Sequence, residues 1–203
     1  MNTLIIIDVQ NDFMPGGKLP VPAGDEVLPV INGLQPKFEL VVSTQDWHPK
    51  GHASFATSHG ASEFETIKIN GLDQILWPEH CIQDSEGAQF HPELKTDRIE
   101  SIFRKGTSPK IDSYSGFYDN AHLKSTGLSG YLKDKGASQL YFTGLAGDYC
   151  VYYSVKDALA EGFEVFLIED ATRPIDEKNF EKVKIDILRR GGKIIQSKDA
   201  PIF

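Results

Sequence analysis

The hydrophobic positions of this chain fall into short runs that are apolar throughout, rather than alternating with polar residues. Runs of this kind, rich in β-branched or aromatic side chains, are typical of strands that are buried on both faces of a sheet. We therefore expect six β-strands, at residues 3–7, 40–43, 99–103, 139–143, 165–168 and 193–195.

Helical patterns lie between several of these runs. Residues 150–162 and 176–190 carry apolar side chains at the spacing of one helix face, and weaker patterns lie at 26–34 and 125–135. The residues expected to face inward are Val151, Val155, Ala158 and Leu159 in the first helix and Phe180, Val183, Ile187 and Leu188 in the second. Because buried strands alternate with helices, the pattern predicts an open α/β fold with a parallel sheet covered on both faces.

One region, residues 51–92, interrupts this alternation. It contains four of the six histidines and a Trp-Pro pair, and it has few strand signals. Long irregular loops in compact domains are usually either functional or disordered. Because this loop carries histidines and aromatic residues, we expect it to be functional.

Composition and charge narrow the class of protein. The chain has 203 residues, of which 40% are hydrophobic and two are cysteines, so one domain spanning 1–203 is expected, without a disulfide framework. The formal net charge of −8 argues against a nucleic-acid or anionic-membrane partner. The first apolar run is too short for a signal peptide or a membrane span. We expect a cytoplasmic, reduced protein.

Polar residues follow four of the predicted strands at the point where each strand ends. They are Asp8 after the first run, Asp46, His48 and His52 after the second, Lys105 after the third and Cys150 after the fourth. In open α/β sheets, ligands bind beyond the carboxyl ends of the strands. Each residue alone has an ordinary structural explanation, as a turn cap, a surface charge or a buried thiol. Together they indicate a site with a carboxylate, a candidate metal triad, an ammonium group and a thiol.

The surroundings of Cys150 indicate a nucleophile. Asp148 is a good N-cap residue, so Cys150 is expected in the first turn of a helix, where free backbone N–H groups and the helix dipole favour a thiolate. A nearby Lys105 would lower the pKa of the thiol further. The same turn would offer N–H groups to an oxyanion, and Asp8 would take the thiol proton and pass it to a leaving amine.

Six motifs extend this interpretation: "IIDVQNDF", "STQDWHPKGHASFA", "WPEHC", "FRKG", "YSGF" and "GLAGDYCV". Their combination and order resemble the nicotinamidase/pyrazinamidase enzymes of the isochorismatase-like hydrolase superfamily. The resemblance spans nearly the whole chain, from Asp8 to the helix after Cys150. It implies a three-layer α/β/α sandwich around a six-stranded parallel sheet. It also implies hydrolysis of nicotinamide to nicotinate and ammonia through a cysteine thioester, in NAD salvage, with pyrazinamide as a further substrate.

The resemblance also implies catalytic residues. The implied triad is Asp8, Lys105 and Cys150, and the backbone N–H groups of Ala146 and Cys150 are the implied oxyanion hole, next to a cis Leu145–Ala146 peptide. Gly147 stands where many relatives have threonine. We expect this glycine to make the turn less rigid without changing the reaction.

A metal site and a substrate pocket are implied in the same way, within a loop region at about 46–92. The implied ligands of one divalent ion are Asp46, His48 and His80, and the ion is expected to be zinc, with iron or manganese as alternatives. His52 matches a position that binds the metal in some members and only lines the site in others. The residues that match the walls around the pyridine ring are Phe13, Trp77 and Tyr114.

Other polar residues have simpler interpretations. Cys81 is expected to be a packed thiol rather than a soft metal ligand. His59, His91 and His122 have no partner pattern and are expected in loops or on the surface.

Two other functions stay open at this point, as does the oligomeric state, for which a homo-oligomer is one outcome. Another small-amide or N-carbamoyl amidohydrolase of the superfamily would share the triad but lack the metal ligands. A redox-active thiol protein would oxidise Cys150 and would usually need a resolving cysteine, for which Cys81 is the candidate.

Overall fold

The computed structural model describes residues 1–201, which form eight strands. The strands are β1 (Asn2–Ile7), β2 (Leu40–Asp46), β3 (Thr66–Ile69), β4 (Leu72–Ile75), β5 (Ser101–Lys105), β6 (Gln139–Leu145), β7 (Glu164–Arg173) and β8 (Lys193–Ile195). Six of them pair in parallel, in the order β5-β2-β1-β6-β7-β8. The predicted six-stranded parallel sheet is therefore confirmed.

Helices cover both faces of this sheet. They are α1 (Val27–Leu34), α2 (Leu128–Asp134), α3 (Tyr152–Ala160) and α4 (Glu177–Arg189). The apolar side of α1 belongs to one hydrophobic cluster, and the apolar sides of α2, α3 and α4 belong to another. The two clusters lie on opposite faces of the sheet, so the three-layer α/β/α arrangement is also confirmed.

The central strand β1 contributes to both clusters. Leu4 and Ile6 pack with the α1 side, and Ile5 and Ile7 pack with the other three helices, and all four side chains are fully buried. This alternation follows from the two-residue period of a strand. Because burial of one such side chain contributes about 1.5–3 kcal/mol, β1 fixes the centre of the fold.

Four strands, β2, β5, β6 and β7, end later than their apolar runs predict. Two of them end at polar residues that the sequence analysis singled out. β2 continues to Asp46 and β5 continues to Lys105, and these two residues are paired in register. Parallel pairing with a neighbouring strand extends each strand into polar sequence. The two residues therefore end strands, rather than lying in the loops that follow.

The helix limits also differ from the predicted ones. The predicted helix 150–162 begins as α3 at Tyr152, and a π-helical turn, Gly147–Val151, precedes it. The predicted helix 125–135 begins at Leu128, after Gly127 takes a φ of 91°. In α4 the inward face is narrower than expected, because Leu188 is 55% exposed and packs into neither cluster.

Sequence analysis missed the hairpin β3–β4, which lies inside the irregular region. The two strands are antiparallel, and they are joined by Asn70 and Gly71, with φ of 52° and 81°. Positive φ at both positions is what a two-residue hairpin turn requires, and Asn-Gly is its strongest short signal. The signal was therefore present in the sequence.

The order of the strands reverses direction at one point of the sheet, between β1 and β6. From β1 the chain first builds β2 and β5 on one side, and then β6, β7 and β8 on the other. The crevice beyond the carboxyl ends of β1 and β6 is thus a topological switch point, where open α/β sheets bind ligands. Over residues 1–201, no helix has both the length and the apolar character needed to cross a membrane.

Candidate active site

Three strand ends bring charged side chains together at the switch point. Asp8 directly follows β1, and Asp46 and Lys105 end β2 and β5. All three residues are buried, with Lys105 only 2% exposed. Charged groups are rarely this buried unless they are paired. The three residues therefore form a buried cluster of paired charges rather than a set of surface charges.

Lys105 is the centre of this cluster. Its Nζ lies 2.9 Å from Oδ2 of Asp8, 3.1 Å from Oδ1 of Asp46 and 3.4 Å from Sγ of Cys150. It also donates a hydrogen bond to the carbonyl of Ser113, at 2.9 Å. Burial alone would lower the pKa of Lys105, but the Asp46 and Asp8 carboxylates outweigh burial and raise the pKa well above its usual range. The ammonium group therefore stays charged.

Asp8 has the features of a general base. Burial raises the pKa of its carboxyl, and the negative charge of Asp46 adds to the increase, while Lys105 and Thr44 act in the opposite direction. The Thr44 hydroxyl donates to Oδ1 of Asp8 at 2.6 Å. The backbone of Asp8 has a φ of 49°, which is uncommon for a residue other than glycine. Strained backbone of this kind clusters at functional sites.

Cys150 lies in the π-helical turn and not at the first turn of an α-helix. The N-cap position of that turn is Ala146, and the N-cap prediction for Asp148 is wrong. The carboxylate of Asp148 instead accepts the backbone N–H groups of Ile175 and Asp176, at 2.9 and 3.1 Å. It thus ties the turn to the segment before α4.

The pKa of Cys150 also differs from the expected one. Burial raises the pKa of the thiol well above its usual range; Lys105 acts in the opposite direction, and Asp8 and Asp46 add to the increase. The lowered pKa expected from a helix end and a lysine is therefore wrong, because desolvation is the larger effect. Burial therefore favours the neutral thiol over the thiolate at this position. Asp8 is near enough to influence it.

The π-helical turn is tightly packed at Gly147, although the sequence analysis expected this glycine to make the turn less rigid. The peptide between Leu145 and Ala146 is cis. A Cβ placed on Gly147 would lie 2.8 Å from Cε2 of Phe180 and 3.0 Å from Cγ2 of Thr172. The Phe180 ring from α4 therefore occupies the space that a side chain at position 147 would need.

We expect Gly147→Ala to lower the free energy of unfolding by about 1–3 kcal/mol, because the added methyl overpacks this contact. Urea denaturation checks the value. Gly33→Ala is the matched control, since Gly33 lies in α1 with open space around its Cβ position. It should stabilise the helix by about 0.5–1 kcal/mol. Equal effects of the two substitutions would contradict the close contact with Phe180.

Three residues form a group that fits a metal ion. One ligand atom from each of Asp46, His48 and His80 lies within 4.8 Å of the other two, and all three residues are buried. Nδ1 of His48 lies 3.1 Å from the carbonyl of Gly106, and Nδ1 of His80 lies 2.8 Å from the carbonyl of Pro78. A carbonyl only accepts, so each Nδ1 carries a proton, and Nε2 is the nitrogen left to bind a metal ion.

The surroundings hold these donors in place. Nε2 of His48 and of His80 lie 3.0 and 3.4 Å from Oδ2 of Asp46. The side chain of Gln10 fixes the backbone of Asp46, donating to its carbonyl and accepting its N–H, both at 2.8 Å. Gly106 has a φ of 65°, and a Cβ there would lie 2.5 Å from the His48 ring. One carboxylate and two imidazoles with such outer partners suit a catalytic divalent metal.

His52 lies beside this triad with a different hydrogen-bond pattern. The backbone N–H of Ser54 donates to Nδ1 of His52 at 3.1 Å, so in the neutral ring the proton is on Nε2. Burial, together with the charge of His48, lowers the pKa of His52 to about 4, so the ring is neutral at pH 7. A protonated Nε2 has no lone pair for a cation. This pattern favours the role of a wall residue.

Sequence analysis missed Asp112, which also faces the triad. Its carboxylate forms a second group with His48 and His52, again with one atom of each residue within 4.8 Å of the others. It lies two residues before Tyr114, inside the stretch that leads to the "YSGF" motif. Apart from that neighbouring motif, the local sequence carries no signal for Asp112.

A narrow pocket opens onto the thiol and the metal triad. Its lining includes the three aromatic residues predicted to surround the substrate ring, Phe13, Trp77 and Tyr114. It also includes Leu19, Tyr149 and Ile175, which were not predicted. Tyr149 stands edge-on to Trp77, with ring centroids 5.0 Å apart. Flat aromatic walls of this kind suit a flat ring.

The other predicted polar residues do not line this pocket. Cys81 is fully buried, and its backbone N–H donates to Oδ2 of Asp12 at 2.7 Å. Cys81 and Cys150 are both free thiols. His59 is exposed and bonds to the carbonyl of Ala53, and exposed His122 faces Asp157 at 3.4 Å. His91 is partly buried and its Nδ1 accepts the backbone N–H of Glu93.

Known proteins resemble this chain over most of its length. A nicotinamidase from Escherichia coli (strain K12) is 45% identical over 177 residues, which are 85% of this chain and 83% of that protein. The solved structure of a nicotinamidase/pyrazinamidase from Acinetobacter baumanii is also 45% identical, with a TM-score of 0.95, and covers 98% of this chain and 97% of its own.

Two more distant structures contain bound groups. PnC1 from L. infantum, in complex with nicotinate, is 38% identical, with a TM-score of 0.87, over 98% of this chain and 93% of its own. The pyrazinamidase of Pyrococcus horikoshii, in complex with zinc, is 38% identical, with a TM-score of 0.80, over 96% and 98%. The family model described as the Isochorismatase domain matches residues 2–199. The chain belongs to the isochorismatase family.

Proposed function

We propose that this chain is a nicotinamidase, which hydrolyses nicotinamide to nicotinate and ammonia with Cys150 as nucleophile. The observation that carries the proposal is the position of Lys105. A single ammonium group lies within 3.4 Å of a thiol and within 3.1 Å of two carboxylates, one of which belongs to the metal triad. The relatives that are 45% identical are nicotinamidases.

The first half of the reaction uses Asp8 as a base. As the sulfur of Cys150 bonds to the carboxamide carbon, its proton moves to the Asp8 carboxylate. Lys105 stabilises the negative charge on the sulfur during this transfer, because its Nζ is 3.4 Å away. The N–H groups of Ala146 and Cys150 receive the oxyanion. The carbon–nitrogen bond then breaks, and ammonia leaves with the proton from Asp8.

The second half of the reaction releases the acid. A water molecule attacks the thioester and gives a proton to Asp8, so the same carboxylate acts as base twice. The carbon–sulfur bond breaks and the Cys150 sulfur takes its proton back from Asp8. The acid departs as nicotinate, and its carboxyl proton passes to solvent. The pKa values of Asp8 and Cys150 are both raised by burial. Because both groups favour their protonated forms, a proton can pass between them in either direction.

Substrate selection rests on the aromatic walls and on the metal triad. Phe13, Trp77 and Tyr114 would contact the ring of nicotinamide or pyrazinamide. Asp46, His48 and His80 would hold a divalent ion, which would supply a Lewis acid to the pocket, and zinc is the proposed ion, since a related pyrazinamidase contains it. We assign residues 1–203 to one hydrolase domain, with the metal and substrate region at about 46–92. We place the reaction in NAD salvage.

The test is an ammonia-release assay on nicotinamide, with and without a chelator. Equal amounts of ammonia and nicotinate are expected, and removal of the metal should lower the rate at least about 100-fold, as losing a Lewis acid and substrate anchor implies. Zinc should restore the rate. No ammonia from nicotinamide under any metal condition would contradict the proposal.

Benzamide is a matched control substrate, since it has the same shape as nicotinamide but no ring nitrogen. It should be hydrolysed at least about tenfold more slowly, because the site's metal would lack its partner. Equal rates for the two amides would contradict the anchoring role of the metal. An N-carbamoyl compound hydrolysed faster than nicotinamide would favour the other amidohydrolase function.

A further inference from the structure

Asp112 is a buried charged group that the proposed reaction does not use. It lies between β5 and α2, is 5% exposed, and lines the same pocket as Asp46, His80 and Cys150. Its carboxylate is held firmly. Oδ1 accepts the backbone N–H of Ser113 at 2.7 Å, and Oδ2 accepts Nε2 of Gln74 at 3.2 Å.

The carboxylate of Asp112 lies beside the metal triad. Its Oδ1 is 3.9 Å from Nε2 of His48, which is beyond hydrogen-bond distance. Nε2 of His48 is the nitrogen that faces Asp46, at 3.0 Å. The two carboxylates therefore approach the same imidazole, so an ion held at that nitrogen would be close to both.

The balance of buried charges explains why a carboxylate at position 112 would favour a bound cation. The carboxylates of Asp8, Asp46 and Asp112, with the ammonium group of Lys105, leave a net charge of −2 in a buried region. Histidines that bind a metal are neutral, so they do not change this sum. A divalent cation would bring these four groups to neutrality. Without Asp112 one positive charge would remain uncompensated, and buried uncompensated charge is costly.

We infer that Asp112 is a positioning residue of the metal site, which supplies its second negative charge and raises its affinity for a divalent cation without contacting the reacting atoms. This inference rests on the metal site of the proposed function, but not on the identity of the substrate. It predicts a residue that matters to metal binding even when no amide is present.

The experiment compares metal binding by Asp112→Asn, Asp112→Glu and Asp119→Asn with wild type. Asn keeps the size and one acceptor of Asp112 but removes its charge. Asp119 is the matched control: it is equally buried in the same segment, and its Oδ1 accepts the N–H groups of Ala121 and Leu123. Each protein is stripped of metal, and Zn²⁺ affinity is measured by competition with a chromophoric chelator. The visible spectrum of the Co²⁺ form reports the surroundings of the ion.

Asp112→Asn should weaken Zn²⁺ binding by about 10- to 100-fold, the usual effect of an outer partner of a metal site, and should alter the Co²⁺ spectrum. Asp119→Asn should stay within about twofold of wild type, because its carboxylate belongs to neither group of residues that could hold a metal ion. Asp112→Glu, which keeps the charge, should bind more tightly than Asp112→Asn. Circular dichroism and thermal unfolding of the metal-free proteins check that each one is folded.

Wild-type affinity and an unchanged Co²⁺ spectrum in Asp112→Asn would overturn the inference. So would a Glu variant that binds no better than the Asn variant, because Asp112 would then matter through its hydrogen bonds alone. If wild type itself bound no divalent metal, the metal site of the proposed function would fail first. The two failures are therefore distinguishable.

Discussion

Cys150→Ala is expected to reduce the turnover of nicotinamide by about 10⁴-fold or more, because no other group within the pocket offers a nucleophile for a covalent pathway. The sulfur lies 3.4 Å from the ammonium of Lys105 and contacts no ligand of the metal triad at hydrogen-bond distance. Bound metal should therefore stay near the wild-type level. Initial rates of ammonia release and metal analysis of the purified variant measure the two quantities.

The other cysteine provides the control for this variant. Cys81→Ala removes a sulfur that is also buried and also has a raised pKa, caused first by burial and then by the charge of Asp46. Its side chain does not line the pocket, so turnover should remain within about threefold of wild type, as for a small change of core volume. A nicotinoyl adduct found by acid-quench mass spectrometry should map to Cys150. Near-normal turnover by Cys150→Ala would remove that residue from the mechanism.

Asp8→Asn is expected to lower kcat by about 10²–10⁴-fold at neutral pH, the usual contribution of a general base. Burial raises the pKa of the Asp8 carboxyl, so this group takes up a proton at a higher pH than an exposed aspartate does. Wild-type activity should therefore be present above that raised pKa and be lost as the pH falls through it. Asparagine takes up no proton, so the variant should lack this acid limb. The measurement is kcat/KM as a function of pH.

Thr44→Val tests the same carboxyl without removing it. The Thr44 hydroxyl donates to Oδ1 of Asp8 at 2.6 Å and lowers its pKa. Valine keeps the shape but donates nothing, so the pKa of Asp8 should rise. The acid limb should then move to higher pH while the plateau is largely kept. An acid limb unchanged in both variants would assign it to another group.

Much of the fold follows from the sequence, because strands buried on both faces leave a distinct pattern. The apolar run from Thr3 to Ile7 predicts a buried strand without ambiguity, since neither face of β1 meets solvent. The first and last residues of strands and helices are harder to predict from sequence. Pairing with a neighbour carries β2 to Asp46, and nothing in the local pattern of that segment indicates it.

The residues of the candidate site were predictable from strand ends and motifs, but their electrostatics were not. The pKa of Cys150 depends on burial, which outweighs Lys105, and local sequence does not give the extent of burial. Asp148 looked like a helix cap, yet its partners, Ile175 and Asp176, lie far along the chain. Asp112 has no motif of its own and becomes visible as a charge only when the folded pocket places it by His48.

Lys105 ends β5, which lies at the border of the sheet and pairs with β2 alone. Border strands open more readily than central ones, since one row of hydrogen bonds and little packing hold them. Fraying of this margin would withdraw the ammonium group from Asp8 and Cys150 while the middle of the molecule stayed intact. Inactivation of the enzyme is then governed by local opening of β5 rather than by global unfolding of the domain.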